Sequence, residues 1–180
     1  MEDNLDVWAK VLVEKLLDML VQNPKNEKVI NSVKNYIAEE QKRFQTSKFY
    51  FNKHTWAKVE PNWNVKVGLT DYALIKLKGL AKIHIDNVGD IVRRIEPFGV
   101  AETWMYIFDL YSPIAGTLVA ANSDVLDNTY KIDPDTWLIE VKPVNFNALI
   151  IELEALMDEN QYNEYASKIE NRITNLPTGA

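Results

Sequence analysis

The sequence predicts a mainly β fold with helices at either end. Three observations carry that reading. From Phe49 onward apolar and polar residues alternate with a period of two, as they do in half-buried strands. The alternating runs are short and recur every eight to twelve residues or so, the spacing of a sandwich or barrel. Before them, residues 5–22 place Leu5, Trp8, Val11, Leu12, Leu16, Met19 and Leu20 at three- and four-residue steps, the stripe of an amphipathic helix.

Taken in order, that first helix stops at Asn23-Pro24-Lys25-Asn26, because proline cannot continue the hydrogen-bond ladder. A second helix follows, with Val29, Ile30, Val33, Tyr36, Ile37 and Phe44 on one side. Residues 1–47 thus read as a helical hairpin. Helices this short depend on tertiary packing, so their apolar stripes must dock on the rest of the chain, on a second copy or on another protein. Strands are expected at 48–51, 55–59 and 63–67. Thr70 then caps a short helix through Lys76, with Asp71 well placed at the positive helix end. Further strands are expected at 81–85, 90–95, 117–122 and 138–141, with a reversal at Trp104-Met105 and a helix over 146–173. The second domain accordingly spans residues 48–175.

Composition fits a compact globular chain of 180 residues, 47% hydrophobic and 26% charged. It contains no cysteine, which excludes disulfides, thiolate nucleophiles and cysteine-based zinc sites. The net charge of -6 argues against binding a phosphate backbone, so no nucleic-acid partner is expected. No apolar run reaches the length of a spanning helix, and Glu2, Asp3 and Asp6 give the wrong charge for a secretory signal. A cytoplasmic protein without membrane contact is the expectation.

The most informative stretch is Glu102-Thr103-Trp104-Met105-Tyr106-Ile107-Phe108-Asp109-Leu110-Tyr111-Ser112-Pro113-Ile114-Ala115-Gly116. It resembles the lipoyl-lysine hairpin of the glycine cleavage system H protein family: Glu-Ser-Val-Lys-Ala, an acidic residue, an aromatic, Ser-Pro and Gly. Glu102, Asp109, Tyr111, Ser112, Pro113 and Gly116 match that pattern. Several other segments resemble the family in the right order. They are His54-Thr55-Trp56, Val67-Gly68-Leu69-Thr70-Asp71-Tyr72-Ala73, Asn87-Val88-Gly89-Asp90, Thr117 to Asn122, Asp135-Thr136-Trp137-Leu138-Ile139 and Phe146 to Tyr162. Two departures are the Leu-Gly displaced to Lys78-Gly79 and Asp86 in place of a usual proline. The resemblance implies a lipoyl-domain-type barrel-sandwich hybrid with a C-terminal helix, here preceded by the helical hairpin.

On this resemblance the modified lysine falls on Met105. An amide with lipoic acid needs an amine, so lipoate is expected to be absent. What remains at the turn is Trp104, Met105 and Tyr106, residue types enriched in interfaces. They are the interaction-surface candidates. Partners implied by the resemblance are proteins of the lipoate or glycine cleavage systems, and the N-terminal helices offer a route to self-association. A competitor of a true H protein for its enzymes is a further reading. The alternative is a lipoyl carrier modified at another lysine, Lys78 or Lys82.

No catalytic constellation is visible. The two histidines, His54 and His84, are far apart, both are expected in strands, and neither has a local metal-ligand companion. There is no phosphate-binding glycine loop, no nucleophile elbow and no His-Glu-x-x-His. Asp71, Asp90, Glu96, Glu102 and Asp109 are spread over several segments and read as solvated faces and caps. A non-catalytic protein without a metal site is expected.

Overall fold

The structure is a computed structural model that describes residues 31–174 apart from 33–34, 36–38, 40–41 and 127. Its elements run β1 Lys48–Tyr50, β2 Thr55–Val59, β3 Val65–Leu69, α1 Asp71–Lys76, β4 Leu80–Ile85, β5 Ile91–Val92, β6 Pro97–Thr103, β7 Ile107–Tyr111 and β8 Gly116–Ala121. Then come α2 Ser123–Leu126, a 3-10 turn at Thr129–Lys131, β9 Trp137–Pro143, α3 Phe146–Glu154 and α4 Glu159–Thr174. The strands form two antiparallel sheets, one in the order β1-β2-β3-β9-β8-β5 and one in the order β4-β6-β7. The N-terminal helical hairpin expected over residues 1–47 lies largely outside the described residues; those described within it at 31–32, 35, 39 and 42–46 are helical.

The core sits between the sheets. Val59, Val65, Val67, Leu118 and Val141 are buried from the larger sheet, and Ile83, Phe98, Ala101 and Leu110 from the smaller. Period-two patterning puts most of these side chains on one face of each strand, and the register shift between Pro97 and Gly99 lets Phe98 be buried along with Ala101. Trp56 is buried with its indole N–H donating to the Leu69 carbonyl at 2.8 Å. Its ring occupies the space where a side chain at Gly68 would stand, so the Trp-Gly pair across β2 and β3 is a single packing unit. Phe44, upstream of the expected boundary at residue 48, belongs to this core at 3% exposure and stacks on Phe49 with ring centres 5.9 Å apart.

Four details differ from the sequence reading. Strand β3 starts at Val65 rather than at residue 63, because Trp63 turns with φ 65° and donates its N–H to the Glu60 carbonyl. Strand β5 is only two residues long, because Arg93 to Glu96 form a turn with Ile95 at φ 71°. The helix expected over 146–173 is two helices. Met157 leaves helical geometry to exchange both backbone hydrogen bonds with Tyr50 on the edge strand β1, at 2.8 and 2.9 Å. Asp158 and Gln161 then restart the chain as α4, each side chain accepting the other's backbone N–H, a reciprocal cap. His54 stands in the β1–β2 turn at φ 65°, not in a strand, whereas His84 is on β4 as expected.

Candidate functional site

Strands β6 and β7 build a hairpin, with Glu102 opposite Ile107, Ala101 opposite Phe108 and Val100 opposite Asp109. Between them stand Trp104, Met105 and Tyr106, with the reversal at Trp104-Met105. The Thr103 N–H donates to the Tyr106 carbonyl at 2.8 Å and closes it. The Thr103 hydroxyl oxygen also accepts from the backbone N–H groups of Met105 and Tyr106, at 3.3 and 3.1 Å. A threonine that satisfies two turn donors fixes the loop without any burial of its tip.

The tip is accordingly out in solvent. Trp104 is 85% exposed, Met105 78%, Tyr106 62%, Ile107 67% and Phe108 41%. The sheet register explains why Phe108 joins them. It lies on the same face as buried Ala101 and Leu110, but at the end of the hairpin beyond the covering sheet. Tyr106 meets it edge-on at 6.1 Å between ring centres. All three sequence-nominated residues are therefore brought together on one projecting apolar run. A contiguous apolar patch of this kind marks a contact site more often than a neutral surface.

One supporting contact and one exposed aromatic escaped the sequence reading. A Cβ at Gly79, where φ is 77°, would lie 2.6 Å from Trp104 Cδ1, so the indole edge rests on the glycine backbone. The Gly79 signal was present in the sequence as a glycine just past a helix end; its partner was not. Tyr130 is 81% exposed on the 3-10 turn, and neighbouring Thr129 donates its hydroxyl to the Leu80 carbonyl at 3.0 Å. Leu80 is paired with Thr103 at the base of the loop. No periodic pattern announces Tyr130, because its place depends on how that turn packs on β4.

Charges near the hairpin are mostly paired along the sheet. His84 Nε2 and Glu102 Oε1 are 3.1 Å apart on the outer face. The Tyr111 hydroxyl donates to Asp109 Oδ2 at 3.1 Å, and that hydrogen bond pushes the phenol's pKa up. The Ser112-Pro113 corner is anchored by Ser112, whose buried hydroxyl donates to the Ile114 carbonyl at 2.6 Å.

A second polar centre lies under α4. The Tyr162 hydroxyl is 2.7 Å from His54 Nδ1 and 2.8 Å from Thr70 Oγ1. Burial raises the Tyr162 phenol to about 12, and burial, with Lys53 nearby, lowers the His54 pKa. Beside this centre runs an open groove of about 760 Å³ walled by Tyr50, Tyr72 and Tyr162, with Lys48 and Lys76 engaged by Asp135 and Glu170. Among the described residues no group of three or more His, Cys, Asp or Glu side chains could hold a metal ion. Among them, too, no helix is long and apolar enough to cross a membrane.

The fold is thus a two-sheet antiparallel domain whose β6–β7 hairpin projects a run of exposed apolar residues. Comparison with known proteins gives it a family. The model of the glycine cleavage H-protein family matches residues 48–169. The chain is 32% identical over 120 residues to a probable glycine cleavage system H protein of Pyrococcus furiosus, covering 65% of this chain and 87% of that one. It is 35% identical over 120 residues to the glycine cleavage system H protein of Bacillus pumilus, covering 64% and 90%. The crystal structure of a glycine cleavage system H protein from Mycobacterium marinum superposes with a TM-score of 0.57 at 26% identity, covering 69% of this chain and 97% of that one.

The chain belongs to the glycine cleavage H-protein family. Lipoate, the group implied for that family, does not fit this hairpin loop. Neither Trp104 nor Met105 carries an amine, and the stretch from Glu102 to Gly116 contains no lysine.

Proposed function

We propose that this chain is a non-lipoylated H-protein-like binding or assembly protein, and that the tip formed by Trp104, Met105 and Tyr106 is its docking surface. The observation that supports this reading most directly is the pairing of chemistry with exposure. The position that the hairpin resemblance gives to the modified lysine is held by a thioether at the exposed turn. Around it stand the exposed rings of Trp104 and Tyr106. Large rigid aromatics bury much area at small entropic cost, which suits them to protein contact. The partners are proteins of the glycine cleavage or lipoate systems, which the tip meets by shape rather than by an attached arm.

The second reading is a carrier modified at a different lysine. Lys78 favours it in one respect, since its exposed amine precedes the glycine on which Trp104 rests. Incubation with lipoate ligase, lipoate and ATP followed by intact-mass measurement separates the two. An unchanged mass supports the non-lipoylated reading. A lipoyl increment mapped to Lys78 or Lys82 overturns it.

A further inference from the structure

We infer that Met105 is a reversible oxidation site, and that its thioether–sulfoxide conversion switches the hairpin tip between an apolar and a polar surface. The inference rests on the reading of the tip as a contact surface for its consequence, but not for its chemistry. Oxidation by a peroxide requires a soft sulfur that the oxidant can reach, and exposure governs which methionine reacts. Met105 is 78% exposed, and its loop is held by backbone bonds to Thr103 and not by packing of its own side chain.

Two features of the chain sharpen the site. There is no cysteine, so no thiolate takes the oxidant first and the sulfur chemistry of the chain rests on its four methionines. Met157, the other methionine among the described residues, is only partly exposed, and its backbone is tied to Tyr50 on β1. It is the built-in reference for a less accessible thioether.

The step balances as a two-electron oxygen transfer. The sulfur lone pair attacks the distal peroxide oxygen, the O–O bond breaks, and an S=O bond forms. The released hydroxide takes the proton from that oxygen and leaves as water. The sulfur is oxidised and the peroxide reduced. The product places a strongly polar, hydrogen-bond-accepting group between Trp104 and Tyr106, where a docked partner would have to desolvate it. Methionine sulfoxide reductases reverse the step, which is what makes it a switch rather than a lesion.

The test is hydrogen peroxide titration of the full chain with peptide mass mapping, alongside retention on a phenyl matrix. Met105 is expected to gain one oxygen about fivefold faster than Met157 or more, following exposure. Retention should fall as Met105 oxidises and recover after treatment with the two sulfoxide reductases. Met105→Leu keeps the apolar tip and should hold its retention through the titration. Met105→Gln, polar from the start, should elute early without peroxide. Oxidation of Met157 at an equal or greater rate overturns the site. Sulfoxide at Met105 with unchanged retention overturns the switch. Neither outcome bears on whether Trp104 is needed for partner capture, so failure of the contact reading is seen separately.

Discussion

His54 and Tyr162 are 108 residues apart in the chain, yet His54 Nδ1 and the Tyr162 hydroxyl meet at 2.7 Å. The same hydroxyl reaches Thr70, the N-cap of α1, so one phenol ties α4 to the β1–β2 turn and to the short helix. Removing it strands two polar groups beneath the helix. Tyr162→Phe should cost about 1–3 kcal/mol, the penalty for unsatisfied buried partners. Chemical denaturation of the variant against wild type measures it.

The burial of His54 also gives the fold a pH dependence. Burial first, and then Lys53, lower the His54 pKa below its ordinary value of 6.5. The unfolded chain therefore binds a proton near pH 6.5 that native His54 still refuses, and stability falls as pH drops through and below that value. His54→Asn, which tolerates the left-handed backbone at φ 65°, should flatten that part of the stability profile. An unchanged slope in the variant would assign the acid sensitivity to other groups.

Trp104 separates binding from folding. Its indole rests on Gly79 by one edge and is otherwise in solvent. Trp104→Ala should weaken capture of a glycine cleavage or lipoate-system partner by about 2 kcal/mol or more, the range of an aromatic anchor. Folding stability should move by no more than about 0.5 kcal/mol, as for other exposed positions. Isothermal titration and a thermal melt on one variant give both quantities. A large loss of stability with unchanged binding would hand the residue to the core.

Met105→Lys tests the loop geometry. An amine at this position has the exposure that a modifying enzyme needs, on a turn already fixed by Thr103. The variant should gain a lipoyl increment on incubation with lipoate ligase and ATP, while wild type stays unchanged. Failure of the variant would mean that the flanks, with Trp104 and Tyr106 in place, have diverged too far for recognition.

Phe44 fixes how much of the N-terminal segment the sandwich needs. Its ring is buried in the core and stacked on Phe49. Deletion of residues 1–41 should leave a folded β-rich domain, whereas Phe44→Ala within it should cost roughly 3–5 kcal/mol, as large aromatic truncations do. Circular dichroism melts of the truncated chain with and without the substitution decide. Equal melts would show the ring to be dispensable.

Much of this was written in the sequence because it is local. Alternation of apolar residues specified the strands and their inward faces, since a one-residue slip would turn Val65 and Val67 outward. Thr70 announced the start of α1 and caps it as expected, its side chain accepting from the Ala73 N–H. The tip was legible too, because the two-residue reversal at Trp104-Met105 leaves those side chains no strand to pair with.

Other features rest on groups that no window of sequence brings together. The break between α3 and α4 is decided by Met157 pairing with Tyr50, a strand contact competing with continued helix. The brevity of β5 follows from a turn at Ile95, whose backbone N–H is taken by Ser112. Gly79 could be seen as a glycine but not as the seat of Trp104, and Tyr162 as a helical aromatic but not as the partner of His54 and Thr70. Sequence by itself determined the period of each element, which left sandwich or barrel open until the family resemblance narrowed it, and the absence of an amine at the hairpin tip. Tertiary structure alone decided which side chains meet across long chain separations, because those contacts depend on the relative placement of elements that are each locally complete.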